Sequence, residues 1–160
     1  YIAAIANGGK VLETHVVKSV VSEEGEKIQE TEPKVINKLD VNPEHIAAIH
    51  NGMYKVVYES DGRGGGGTAV KYFSDIDPEI TLAGKTGTAQ TVAGNEEKNN
   101  AWFVAFTPFK KPEVAVVVAI PNGRTAGNAA PIARKIIEEY YRLKDETHVN
   151  SIQNIYDLKK

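Results

Sequence analysis

Lys85-Thr86-Gly87-Thr88-Ala89-Gln90 sets an amine and two hydroxyls close together on one short stretch. In an extended chain alternate side chains share a face, so Thr86 and Thr88 point the same way and Gly87 leaves the backbone between them bare. A fixed cation can assist proton transfer and attract an anion, and the neighbouring hydroxyls can hydrogen-bond that anion. Other candidates are weaker. His45 and His50 lie about 140° apart around a helix, so they do not present one face to a zinc ion. The stretch 61–67, DGRGGGG, lacks the spacing of a phosphate-binding loop and no Lys-Ser/Thr pair follows it. There is no cysteine, which excludes a disulfide, a CxxC metal site and a thiol nucleophile. Ser19, Ser22, Ser60, Ser74 and Ser151 are followed three residues later by Ser, Gly, Arg, Asp and Asn, so no serine is paired with a lysine as S-x-x-K. No S-x-N triplet occurs either.

The elements that must carry the lysine and threonines are partly legible. Residues 1–9 read as the end of a helix closed at Asn7-Gly8-Gly9, where glycine takes the left-handed conformation. Residues 10–22, rich in Val and Thr, predict an extended arm, and the acidic stretch 22–33 a solvated loop. Asn42-Pro43-Glu44 combines a side-chain cap, a proline at the first helical position and an acid at the positive dipole end. Ile46, Ile49, Met53 and Val56 then predict a buried stripe on a helix reaching about residue 58. The glycine run predicts a mobile connection before a short helix at 68–73.

In the second half, 81–91 is a strand despite Gly84 and Gly87, so it keeps those glycines for a reason. Residues 101–107 alternate, with Trp102, Val104 and Phe106 on one side and Phe103 and Ala105 on the other. Residues 114–120 are apolar throughout, the pattern of a strand buried on both faces. The turn at 108–112 makes these two an antiparallel pair. A helix over 128–141 follows, with Pro131 in its first turn and Ile132, Ile136 and Tyr140 as its apolar stripe. Residues 144–160 form a tail, helical or disordered. Strands backed by a terminal amphipathic helix make the fold α+β or mixed α/β.

With 160 residues and a net charge of −2, the chain is one domain of ordinary soluble composition. Lys110-Lys111 and Lys159-Lys160 do not make a basic face, so no nucleic-acid partner is expected. No stretch approaches a membrane span.

Several stretches together resemble the transpeptidase domain of class B penicillin-binding proteins over about residues 1–143. They are Ala3-Ala-Ile-Ala-Asn-Gly-Gly-Lys10, Ile49-His-Asn-Gly-Met-Tyr54 and Ala83-Gly-Lys-Thr-Gly-Thr-Ala-Gln90, then Ala101-Trp-Phe-Val-Ala-Phe-Thr-Pro108, the strand at 114–120 and Ala129-Ala-Pro-Ile-Ala-Arg-Lys135, all in family order. The K-T-G triplet is one of three motifs such enzymes share. The resemblance implies the penicillin-recognising α/β fold, an antiparallel sheet between helical layers, and serine acyl transfer on peptidoglycan stem peptides; the alternatives are a non-catalytic binding or structural module and a β-lactamase or β-lactam sensor of the same fold.

By that resemblance, Lys85 sits beside the serine cluster, and Thr86 and Thr88 bind the substrate carboxylate. Gly87 and Ala89 line the strand against which the substrate lies. The Thr88 backbone N–H is one of two oxyanion donors. No cofactor or metal is implied. The other two motifs, and hence the nucleophile, are expected on a segment that precedes residue 1, so this chain is expected to be inactive alone. The parent is expected at the extracytoplasmic face of a bacterial membrane, with stem peptides and β-lactams as ligands. The family's first strands would pair beside 114–120. An uncovered apolar edge there is expected to be covered by the serine-bearing half or by a second copy. Ala105 stands where the family often has glycine. Trp102 is expected to pack in the sheet layer, His45 and His50 to be surface or capping residues, and Arg63, amid the glycines, is a weak candidate for the cleft mouth.

Overall fold

The computed structural model describes residues 1–62 and 65–157, with side chains as far as residue 146. Arg63 lies outside the described residues. The chain opens with helix α1 (Ile2–Ala6), which Gly8 and Gly9 close at φ +80° and +99°, as the sequence predicts. Strand β1 (Lys10–Leu12) pairs antiparallel with β4 (Val35–Lys38), and β2 (Ser19–Val21) with β3 (Lys27–Glu30). The Glu13 N–H bonds the Lys34 carbonyl and the Thr31 N–H bonds the Lys18 carbonyl, so the two hairpins continue one ribbon.

That ribbon corrects the reading of 22–33 as a loop. Nearly every ribbon residue is exposed, so its strands lack the alternation that burial of one face imposes. Val20, Val21, Ile28, Val35 and Ile36 all stand in solvent.

Helix α2 (Pro43–Tyr58) begins as predicted, with the Asn42 side chain accepting from the Glu44 N–H at 2.9 Å. Its buried stripe differs. Ile46, Met53 and Val57 are buried, Val56 is half-buried, and Ile49 is 43% exposed. His50 completes the stripe at the i, i+4, i+7 spacing. Its ring lies 4.7 Å from Phe106 and its Nε2 is 2.9 Å from the Ile5 carbonyl, which ties α2 to the end of α1.

Short helix α3 (Val70–Phe73) leads to a three-stranded antiparallel sheet in the order β5 (Ala83–Ala89), β6 (Asn100–Thr107), β7 (Val114–Ile120). Helix α4 (Ala130–Asp157) closes the described chain. Among its described side chains Ala130, Ala133 and Ile137 are buried, while Ile132 and Ile136 are each 45% exposed. The stripe is rotated from the predicted one because alanines let the helix approach the sheet closely and carry the contact.

The sheet separates two cores. On one face Phe103, Ala105, Val116 and Val118 pack against Phe73 of α3, Ala133 and Ile137 of α4 and Val57 of α2. On the other, Ala83 and Phe106 pack against Ile2 and Ile5 of α1 and Met53 of α2. Helix α2 thus serves both cores beside β5.

The second face is covered at one end only. Gly87, Trp102 and Ala119 lie across one another on it, with Lys85, Val104 and Val117 in the next row. Val117 is 55% exposed and Trp102 39%. The expectation of a β7 buried on both faces is therefore corrected: Val116 and Val118 are buried, while Val117 and Ala119 are exposed. Strand β7 is also an outer strand.

Candidate active site

Strand β5 pairs with β6 over its whole length, from Ala83 opposite Phe106 to Ala89 opposite Asn100. Its glycines are explained by neighbours. A Cβ on Gly84 would stand 2.7 Å from the Phe103 ring, and one on Gly87 would meet the Trp102 Cβ at 3.2 Å. Gly84 faces Ala105 across the ladder, so a small residue stands on both sides of that pair.

The register sorts the candidate residues. Lys85, Gly87 and Ala89 share the face of Val104 and Trp102, whereas Thr86 and Thr88 share the face of Phe103 and Ala101. Lys85 is exposed and its Nζ donates to the Thr86 carbonyl at 2.6 Å. No carboxylate pairs with it among the described residues. An exposed cation on an outer strand, with no carboxylate partner among the described residues, is available to an incoming anion.

Both threonine hydroxyls have partners that sequence reasoning missed. The Thr86 Oγ1 lies 2.6 Å from the Thr68 Oγ1. The Thr88 Oγ1 accepts the Ala126 N–H at 3.2 Å. Ala126 belongs to the connection between β7 and α4, where Asn122 and Arg124 hold left-handed φ of 54° and 65°. Hydrogen bonds from the Arg124 N–H to the Asn99 carbonyl and from the Asn128 side chain to the Gly123 carbonyl fix that connection.

Thr68 follows the glycine run, whose last two residues are tied to the end of α2 rather than forming the loose connection its composition predicts. The Gly67 N–H donates to the Glu59 carbonyl at 2.7 Å and the Ala69 N–H to the Val56 carbonyl at 2.9 Å. A Cβ on Gly67 would stand 2.3 Å from both the Lys55 and Val56 carbonyl oxygens, and one on Gly66 2.4 Å from that of Glu59. The last glycines are bare because they cap the end of α2 at contact distance. Consecutive glycines at 66 and 67 were the available signal that Thr68 is held rather than loose.

The body behind β5 is tightly tied. The buried Thr107 hydroxyl donates to the Thr81 carbonyl and meets the Tyr141 hydroxyl, each at 2.8 Å. The Tyr58 hydroxyl donates to the Ile80 carbonyl and accepts the Leu82 N–H, which pins the entry to β5 against α2. Burial pushes the Tyr58 phenol above its ordinary range, so it stays a neutral donor. Trp102 does not close over the strand. It lies beneath Gly87, partly open, on the face that carries Lys85. No cluster of metal-ligating side chains occurs among the described residues.

An antiparallel sheet backed by helices, with Lys-Thr-Gly on an outer strand and the threonines held from below, defines a penicillin-recognising α/β class of domain. The comparisons agree. The penicillin-binding protein transpeptidase domain matches residues 1–138, and the chain belongs to that family. It is 31% identical over 150 residues to penicillin-binding protein 2B of Streptococcus pneumoniae, covering 89% of this chain and 21% of the relative. The structure of a 2B protein from that species superimposes with a TM-score of 0.73 at 30% identity, over 89% of this chain and 24% of that one. Peptidoglycan D,D-transpeptidase MrdA of Haemophilus influenzae is 34% identical over 152 residues, 85% of this chain and 22% of the relative. An imipenem acyl-enzyme complex of penicillin-binding protein A from M. tuberculosis matches with a TM-score of 0.64 at 30% identity, over 86% of this chain and 28% of that one. The chain thus spans about a fifth of the length of the curated relatives it matches.

Proposed function

We propose that this chain supplies the Lys-Thr-Gly wall of a serine D,D-transpeptidase that cross-links peptidoglycan stem peptides and is acylated by β-lactams. One observation carries the reading. Lys85 stands on an outer strand with no carboxylate partner among the described residues, while the Thr86 and Thr88 hydroxyls, across the same strand, are each oriented by a neighbour. The named relatives include a D,D-transpeptidase, and one solved relative is an acyl-enzyme.

In this reading a serine on a segment outside these residues attacks the carbonyl between two D-alanines. The serine proton passes to a base, a C–O bond forms, the C–N bond breaks, and the departing D-alanine amine takes a proton. An amine of a second stem peptide then displaces the serine. Lys85 lowers the cost of negative charge beside the serine, and the Thr88 N–H donates to the oxyanion. Loss of one such donor costs roughly 10²–10³ in rate. Thr86 and Thr88 hold the terminal carboxylate, and Gly87 and Ala89 let an extended peptide lie against the strand.

The serine-bearing segment covers the uncovered sheet face and the β7 edge, burying Val117 and Trp102. The reaction takes place outside the cytoplasmic membrane, where stem peptides are. No helix long and apolar enough to cross a membrane occurs among the described residues.

The test is intact mass after incubation with excess benzylpenicillin. The chain alone is expected to keep its mass. The full-length protein is expected to gain one penicillin, and Lys85→Ala to slow that gain by at least tenfold. A penicillin adduct on the isolated chain, or full acylation of the Lys85→Ala protein at the normal rate, would overturn this placement of the site.

A further inference from the structure

Thr68 lies outside the Lys-Thr-Gly motif, on the connection from α2 to α3, yet its hydroxyl touches a motif threonine. A threonine hydroxyl has one proton and two acceptor positions. At Thr88 the assignment follows from chemistry alone. The Ala126 N–H can only donate, so Thr88 accepts it and keeps its own proton for another partner. At Thr86 the partner is a second hydroxyl, and either can donate. A carboxylate only accepts, so its arrival settles the direction: Thr86 donates to the anion and Thr68 donates to Thr86.

We infer that Thr68 is a positioning residue that turns Thr86 into a hydrogen-bond donor for a ligand carboxylate, working in parallel with the Ala126 N–H at Thr88. The inference deepens the transpeptidase reading and rests on it. The backbone supports the role. Thr68 sits between Gly67 and Ala69, whose N–H groups are both bonded to the last turn of α2. Neither Gly66 nor Gly67 has room for a side chain against that helix end. The Thr68 backbone is therefore fixed relative to β5, and its hydroxyl arrives at Thr86 already ordered. A relay of two hydroxyls ending on an anion polarises each bond in turn, which strengthens the terminal one.

Thr68→Val keeps the shape and removes the hydroxyl, and Thr68→Ser keeps the hydroxyl. Two measurements on the full-length protein decide the matter. The first compares acylation by a thioester substrate ending in a free carboxylate with acylation by its carboxamide counterpart. Thr68→Val is expected to lose about fivefold in the second-order rate constant with the carboxylate ligand, the worth of one hydrogen bond between neutral groups. The same variant should keep its rate at saturation and show no loss with the carboxamide, and Thr68→Ser should restore the carboxylate preference. An equal loss with both ligands, or none with either, overturns the inference.

The second measurement reads the Thr86 methyl resonance and its three-bond couplings. They are expected to show rotamer averaging in Thr68→Val and a single rotamer in Thr68→Ser. An unchanged rotamer in Thr68→Val overturns the positioning role. If the wild-type protein is not acylated at all, the transpeptidase reading fails, and the methyl measurement still decides whether Thr68 holds Thr86.

Discussion

The two faces of the three-stranded sheet are made by the same strands and have opposite fates. One face carries Phe103, Val116 and Val118, and α3, α4 and the end of α2 close over it. The other carries Lys85, Trp102 and Val117, and beyond the corner held by α1 and α2 it lies open. Because side chains alternate, each strand serves both faces, and in β5 this places the threonines on the closed side and the lysine on the open one. The closed face is a fixed reference from which hydroxyls are aimed. The open face leaves the cation free to meet a ligand or a covering segment.

The largest way to break this contrast is to remove a closed-face side chain and its open-face counterpart in turn. Phe103 is fully buried and stacks on Phe73 at 5.4 Å. Phe103→Ala is expected to cost about 3–5 kcal/mol in urea unfolding, as large-to-small changes in a packed core do. Val117→Thr is expected to change the stability of this chain by less than about 0.5 kcal/mol. If both substitutions cost the same, the open face is covered in solution by another copy, and the contrast dissolves.

Next in size is the glycine cap. Gly67→Ala places a Cβ against two carbonyl oxygens of α2, and backbone cannot step aside as a side chain can. The expected loss is about 1–3 kcal/mol, typical of overpacking. Gly65→Ala sharpens the test, because the nearest atoms its added carbon meets belong to the Asp61 side chain rather than to backbone. A smaller loss at 65 than at 67 locates the demand for glycine in the close approach to α2. Equal losses would return the run to the mobile connection that its composition suggests.

The site strand lies where the sequence predicts it, although Gly84 and Gly87 make it poor strand composition. The Lys-Thr-Gly resemblance, not periodicity, is what marks it. The cap at Asn42 and the glycine closure of α1 are local devices and were equally readable. What the sequence hid depends on tertiary context. The ribbon of β1 to β4 has no buried face, so no periodicity marks it. The stripe of α2 holds at Ile46 and Met53 but turns to His50 and Val57 where Ile49 and Val56 are expected, and the stripe of α4 shifts by one position, to Ala133 and Ile137 from Ile132 and Ile136. Thr68 and Ala126 lie far from β5 in sequence, and only the folded chain brings them to its threonines.

The smallest effect concerns how the closed face is clamped at its rim. Arg134 of α4 bonds the Asp75 carboxylate, the Tyr72 carbonyl and the Glu138 carboxylate, joining α4 to α3. The hydrogen bond from Arg134 holds the Asp75 carboxyl below its ordinary range, and Arg134 is itself raised by the same contacts. A carboxyl whose folded-state pKa is lowered contributes stability that is present above its unfolded value, about 3.9, and is lost as the pH falls through the folded value. Asp75→Asn should therefore lower the urea midpoint slightly at pH 7, and the difference from the unsubstituted chain should shrink as the pH falls below the unfolded value. Glu113, lowered by its bond from Lys144, and Glu139, lowered by Arg142, act in the same window, so the Asn variant flattens the acid limb without abolishing it. Among the described residues no carboxylate is bonded to Lys85, so Lys85→Met should leave the shape of this acid limb unchanged. A Lys85→Met curve that flattens like that of Asp75→Asn would show a hidden counter-ion on the open face and remove the main physical difference between the two sides.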